Sequence, residues 1–233
     1  KNHKRSIILI GNFDGVHMGH QKLFKLANSY KTKSQQELLE YYDNWDTYEQ
    51  DIMSAGYMGP VGCTALLYKY IDKSKKILEV GCGPGNVAKY LNLMNFNYID
   101  GIDGSKGMVK RAIESKVYNN VYHHIIKDDK LPVDDFDVLL AMGVFTIGHF
   151  PKGSMKTCFD SIKGGGYFCF SGTKKVLKSY FKDEFEYVKL NSTFVDCTEP
   201  YLLAVSNSST EKNTATVFLF RKNLAATLVE NII

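Results

Sequence analysis

The chain has little of what marks several common protein classes. Five cysteines stand in 233 residues, and Cys63, Cys82, Cys158, Cys169 and Cys197 are widely spaced, odd in number and without a C-x-x-C pair. This pattern speaks against a disulfide framework and a metal site, and for reduced thiols in a cytoplasmic protein. Cys158 and Cys169 lie among apolar neighbours, as buried free thiols do. There is no internal repeat and no low-complexity tract. No apolar run approaches the ~20 residues that cross a bilayer, so no membrane span is expected. Lys1 to Arg5 is basic, but the apolar stretch Ile7 to Ile10 is too short for a signal-peptide core. What is present is ordinary for a globular chain: 44% apolar, 23% charged and 13% aromatic residues.

The formal net charge of +4 is unevenly spread. Residues 1–36 hold seven Lys/Arg against the single acid Asp14, which leaves 22 bases and 24 acids for the rest. The basic character therefore belongs to the front, and the body is slightly acidic. A basic stripe on the folded domain, the footprint of nucleic-acid binding, is missing.

The pattern divides into a short front, residues 1–33, a body over 34–222 and a tail over 223–233. Ser34 and Glu37 have capping-box spacing and predict a helix that continues through Leu38, Tyr41, Tyr42, Trp45, Tyr48 and Ile52, giving it an aromatic face. A break over Gly56–Gly62 and a helix over Cys63–Ile71 follow. Strands and helices then alternate: strands over Ile77–Val80, Tyr98–Ile102, Tyr122–Ile126, Asp137–Met142 and Tyr167–Ser171, with helices over Asn86–Leu93, Ser105–Ser115, Met155–Ile162 and Lys175–Phe185. Strands over Tyr201–Ser206 and Thr216–Arg221 should close the sheet as an antiparallel hairpin at one edge. The expected fold is α/β, a doubly wound, seven-stranded, mainly parallel sheet with that C-terminal hairpin.

The strongest local signal is Ile77-Leu-Glu-Val-Gly-Cys-Gly-Pro-Gly-Asn86, a buried strand running through a glycine turn into a helix. Glycines at 81, 83 and 85 let the backbone approach a ligand and aim amides at it from the helix N-terminus. Asp103 ends the second strand, 22 residues after Gly81. In a doubly wound sheet it stands at the tip of the neighbouring strand, where a carboxylate can accept both hydroxyls of a ribose.

Glu79, the G-x-G-x-G turn and Asp103 together resemble the class I S-adenosylmethionine (SAM) methyltransferases. Tyr42-Asp-Asn-Trp-Asp-Thr-Tyr48, Gly56-Tyr-Met-Gly-Pro60, Gly101-Ile-Asp-Gly-Ser-Lys-Gly-Met108 and Gly143-Val-Phe-Thr-Ile-Gly-His149 are similar to motifs of one subgroup. That subgroup includes the methyltransferase-like protein encoded in the Williams–Beuren syndrome region. The resemblance implies SAM as cofactor and assigns roles by position. Gly81, Cys82 and Gly83 would lie under the methionine part, and Glu79 would help hold its ammonium. Asp103 would take the ribose; Gly104, Ser105 and Met108 would line the ribose and adenine. Asp128 or Asp129 would reach the adenine amino group, and Met142 and Gly143 would flank the methionine end. Tyr42, Trp45 and Tyr48 would cover the cofactor, where ring faces attract a sulfonium, or else pack as core.

Methyl transfer is an in-line displacement for which the protein supplies alignment and exclusion of water. An acceptor that carries a proton at neutral pH also needs a base, and His149, after the fourth strand, is the candidate. The acceptor expected from the charge pattern is a small molecule or a protein side chain, with no nucleic acid and no membrane as partner. A SAM-binding protein without catalysis is the alternative from another functional class.

The front carries a different signature. Gly11-Asn-Phe-Asp-Gly-Val-His-Met-Gly-His20 is similar to the first strand, turn and helix of the adenylyltransferase half of riboflavin kinase/FAD synthetases, with His17 and His20 at the phosphate-contacting positions. One strand and one helix cannot bury a core or enclose a nucleotide. The front is thus expected to be a fragment, with nucleotidyl transfer through His17 and His20 a weaker alternative.

Overall fold

A computed structural model describes residues 34–54, 57–127, 129–202 and 214–224. The signature at His17 and His20, Asp128, and most of the C-terminal tail lie outside the described residues. Eight helices and eight strands are seen among the described residues: α1 (Gln35–Asp43), α2 (Tyr48–Ser54), α3 (Gly59–Tyr70), β1 (Ile77–Val80), α4 (Asn86–Leu93), β2 (Ile99–Asp103), α5 (Lys106–Ser115), β3 (Val121–His123), β4 (Phe136–Ala141), α6 (Ser154–Asp160), β5 (Ile162–Thr173), α7 (Lys174–Leu177), α8 (Lys182–Leu190), β6 (Ser192–Cys197), β7 (Tyr201–Leu202) and β8 (Thr214–Lys222).

The sheet runs β3-β2-β1-β4-β5-β8-β6, with the two-residue β7 also paired to β8. Neighbours from β3 to β5 are parallel, whereas β8 is antiparallel to β5, β6 and β7. All four residues of β1 are buried, and Val138, Leu139, Leu140 and Ala141 of β4 are nearly inaccessible. Such continuous apolar strands belong inside a sheet covered on both faces. A phenylalanine cluster extends this core toward the antiparallel side: Phe168 and Phe170 have ring centroids 4.8 Å apart, and Phe145 and Phe181 5.4 Å. The strand order reverses between β1 and β4. At such a switch point the loops leaving the two strands diverge and open a crevice at the carboxyl ends.

The fold expectation holds, with local corrections. The Ser34 capping box is present, with Ser34 N donating to Glu37 Oε2 at 2.7 Å and Glu37 N to Ser34 Oγ at 3.3 Å. The long aromatic helix is two helices, because Asn44 turns its side chain back on the Glu40 carbonyl (2.7 Å) and ends the first. Trp45 Nε1 then donates to Asp51 Oδ2 at 2.7 Å and pins the turn between them. Helix α3 starts at Gly59, before the predicted Cys63, since Pro60 sits in the first turn, where its missing N–H costs nothing. The segment predicted as one helix over Lys175–Phe185 is split between α7, capped by Thr173 Oγ1 on Val176 N (3.2 Å), and α8.

Strand β6 was not foreseen. As an edge strand with only partly buried side chains it has little periodic signal. Its presence moves β8 from the edge to the interior, between β5 and β6. Tyr201 and Leu202 do pair with Ala215 and Thr214, as the hairpin requires; residues 203–213 lie outside the described residues.

Candidate cofactor-binding site

The glycine turn leaves β1 at the switch point. Gly81, Gly83 and Gly85 have φ of 67°, 53° and 97°, a region that side chains disfavour. At Gly81 the space is also taken: a Cβ there would lie 2.3 Å from Val144 Cγ1. Gly81 N and Cys82 N both donate to the Ile102 carbonyl, at 2.8 and 3.0 Å, fastening the turn to β2. Cys82 is itself buried.

Asp103 completes that attachment. Its Oδ2 accepts from Gly83 N at 2.9 Å and its Oδ1 from Ser105 N at 2.8 Å. Burial pushes its carboxyl up, against the pull of these two amides. The turn and the carboxylate are thus one hydrogen-bonded unit. Glu79, 2% exposed, lies below the turn. Its Oε2 accepts from Tyr118 Oη at 2.8 Å, and burial pushes its pKa up to about 8, with Tyr118 opposing and Asp103 adding.

Ser105 caps α5, accepting from Met108 N at 3.1 Å, and is 1% exposed. Gly104 offers its carbonyl to His123 Nε2 at 3.0 Å. Met108 is buried under this cap. Across the crevice, Met142 is buried at the end of β4, and Gly143 (φ 75°) donates its N–H to Ser171 Oγ at 2.8 Å. Asp129 is exposed in the connection after β3, and the structure does not bring it to the others.

Helices α1 and α2 form a cover over this crest. Leu38 and Trp45 are its small core, with Tyr41, Tyr42 and Tyr48 packed around them. Trp45 stacks on Tyr42 at 6.0 Å and meets Tyr48 edge-on at 4.9 Å, so its ring is core of the cover. The cover is fastened at several points. Asp43 Oδ1 accepts from Ser105 Oγ (2.7 Å) and Gly107 N (2.9 Å), Arg111 Nη2 donates to the Tyr42 carbonyl (2.8 Å), and Glu49 pairs with Lys89. Tyr42 Oη and His149 Nε2 share a hydrogen bond of 2.6 Å, its direction set by the ring tautomer. Burial lowers the His149 pKa to about 4, so the imidazole is neutral at pH 7.

Two rings of this region reach the crevice. Tyr48 Cε1 is 3.8 Å from where a Cβ on Gly83 would stand, and Tyr57 Oη is 3.0 Å from the same point on Gly143. An open cleft of about 680 Å³, lined in part by Glu40, Tyr41 and Trp45, lies on the cover itself and includes none of the turn residues. Sequence reasoning passed over Asp43, Arg111, Tyr57 and Tyr118. Asp43 stood inside the Tyr42–Tyr48 motif and Tyr57 inside the motif at 56–60; Arg111 and Tyr118 lie far in sequence from their partners and carry no periodic signal.

The stretch that holds the glycine turn and Asp103 is similar to known proteins. Residues 78–170 match the family described as methyltransferase domain. Over that stretch the chain resembles a methyltransferase domain. S-adenosylmethionine is the cofactor of that family, and the site fits it: a glycine cradle, a carboxylate at the tip of the neighbouring strand and a buried glutamate that no cation faces among the described residues. Methyltransferase-like protein 27 from Homo sapiens is 29% identical over 154 residues, covering 64% of this chain and 62% of that protein. The chain spans about three-fifths of the length of that relative and of an uncharacterized methyltransferase of Schizosaccharomyces pombe, to which it is 24% identical over 161 residues, 64% of this chain and 57% of that one. Among solved structures, the TehB-like SAM-dependent methyltransferase from Corynebacterium glutamicum superposes with a TM-score of 0.59 at 16% identity, covering 79% of this chain and 99% of that one. That likeness is one of fold. A second family, FAD synthetase, matches residues 1–42.

Proposed function

We propose that the protein transfers the methyl group of SAM to a small-molecule or protein acceptor. The observation that carries this reading is the unit formed by Gly83 N and Asp103 Oδ2, 2.9 Å apart at the switch point, with Glu79 beneath it. When bound, SAM supplies an electrophilic methyl on a sulfonium that is already a good leaving group. The chain's own residues bind, align and keep water out. Gly81, Cys82 and Gly83 lie under the methionine part, and Asp103 offers its remaining lone pairs to the ribose. Gly104, Ser105 and Met108 line the nucleoside, while Met142 and Gly143 bound the methionine end. Asp129 faces solvent, so it makes the adenine contact only if its side chain turns inward on binding.

Tyr48 and Tyr57 overlie the crevice and must move aside as the cofactor enters. The cover is held by side-chain bonds from Asp43 and Arg111 and by the Glu49–Lys89 pair; the last is partly exposed and breaks at modest cost. His149, neutral at pH 7 and joined to Tyr42, is the proton acceptor for an acceptor group that must lose one.

Residues 34–222 are the methyltransferase unit, and the front is read as a fragment of a nucleotidyltransferase domain. The FAD synthetase match ends at residue 42, while Gln35, Tyr42 and Asp43 already bond to the methyltransferase body. The test is incubation of the full chain with methyl-labelled SAM and a panel of metabolites and peptides. Label transferred to an acceptor supports the reading. SAM binding without transfer to any class of acceptor favours a non-catalytic SAM binder, and absence of SAM binding refutes both.

A further inference from the structure

The SAM reading leaves one part of the crest unused. Tyr118 belongs to the connection between α5 and β3, yet its ring is keyed into the glycine turn. A Cβ on Gly85 would lie 3.2 Å from its Cε2, and a Cβ on Gly101 3.2 Å from its Cε1. Only the absence of side chains at both positions lets the ring through. Its hydroxyl then donates to Glu79 Oε2 at 2.8 Å and lies 3.4 Å from the Cys82 carbonyl.

Glu79 is an unusual group to keep in a core. It is 2% exposed, and the titratable groups around it are Tyr118, Asp103 from β2, Cys82 from the turn, Tyr48 from α2 and Cys63 from α3. None is a cation. A buried carboxylate without a counter-ion is costly unless a positive group arrives to complete it.

We propose that Tyr118 is a positioning residue for the amino-acid end of the cofactor, fixing one oxygen of Glu79 so that the other meets the ammonium. The inference rests on the SAM reading and adds to it a residue that no motif supplied. It has a chemical consequence. Burial holds Glu79 protonated over much of the neutral range, so a ligand ammonium must displace that proton, and affinity falls as pH drops. Because the Tyr118 bond favours the ionised form, removing the hydroxyl moves this acid limb to higher pH.

The experiment is calorimetric titration of the full chain and its Y118F and E79Q variants between pH 6 and 8.5. The two probes are S-adenosylhomocysteine and 5′-methylthioadenosine, which shares the nucleoside and thioether but lacks the amino-acid tail. Y118F keeps the ring and its packing, which a melting curve verifies. It should weaken S-adenosylhomocysteine by about three- to tenfold, the range of one net hydrogen bond, and leave methylthioadenosine within about twofold. It should also shift the acid limb upward by about half a pH unit or more, and E79Q should abolish that limb. Equal losses for the two probes would make Tyr118 a packing residue, and an unmoved limb would equally overturn the proposal. If wild-type protein binds neither probe, the SAM reading itself fails and takes this inference with it. If wild type binds both probes with equal affinity and no acid limb, the SAM reading stands and the role of Tyr118 falls.

Discussion

Replacing Asp103 by alanine perturbs the site in two separable ways. The carboxylate accepts two backbone amides, Gly83 N at 2.9 Å and Ser105 N at 2.8 Å. Losing a hydrogen bond to a charged group costs about 1.5–3 kcal/mol, so the fold should lose about 3–6 kcal/mol if neither amide finds water, and less if one does. The ribose contact is a further loss, about 1–3 kcal/mol, or about 5- to 150-fold in SAM affinity. Asp103→Asn separates the two, because one oxygen still accepts an amide while the new NH2 faces the other donor. Thermal melts with and without S-adenosylhomocysteine measure both quantities on one sample. The expected result is a lowered melting point in each variant, larger for alanine, with a reduced ligand-induced rise. A variant that melts early yet binds with unchanged affinity would refute the ribose assignment and leave Asp103 a strut of the turn.

The other expectations follow from the same geometry. Glu79 has a raised pKa in the fold, so it binds more protons folded than unfolded, and its contribution to stability is lost as pH rises from about 4 toward 8. E79Q should therefore gain stability relative to wild type at pH 8 and not at pH 5, read from denaturant midpoints at the two pH values. His149 has a lowered pKa, so its contribution is present above its unfolded value and lost as pH falls from about 6.5 toward 4; His149→Gln should blunt that acid-side loss. With a protic acceptor identified, His149→Gln should also cut turnover by about 10²-fold or more while SAM affinity stays within about threefold; undiminished turnover would remove it from the mechanism. Gly81→Ala should cost about 2–4 kcal/mol, since its methyl meets Val144 Cγ1 at 2.3 Å on a left-handed backbone; a chemical denaturation curve within about 0.5 kcal/mol of wild type would contradict that packing. Tyr48→Ala should speed S-adenosylhomocysteine association by about three- to tenfold in stopped flow, as one ring fewer must move; slower association would show the ring to be part of the binding surface.

The fold was legible because its centre is locally dictated. Residues 77–80 and 86–93 read as strand and helix and are found with those bounds, since a buried parallel strand, a glycine turn and an amphipathic helix each leave their mark within ten residues. The sheet's antiparallel side was harder. β6 is a half-exposed edge whose pairing with β8 is set by partners more than twenty residues away. The cover was legible as an aromatic face, but its break at Asn44 depended on one side chain choosing the Glu40 carbonyl over solvent. At the site, Gly81, Gly83 and Asp103 carried a signal because the chemistry of close approach restricts residue type. Tyr118 carried none and Tyr57 only its place in the motif at 56–60: many residues suit a loop, and only the folded chain shows that these two reach Glu79 and Gly143.

A crystal structure of the full chain with S-adenosylhomocysteine bears most directly on the central claim. The account predicts the ribose hydroxyls on the Asp103 carboxylate, the amino group within hydrogen-bond reach of Glu79, and the rings of Tyr48 and Tyr57 displaced from Gly83 and Gly143. A nucleoside seated elsewhere, with both rings still lying over the glycine turn and the end of β4, would contradict it.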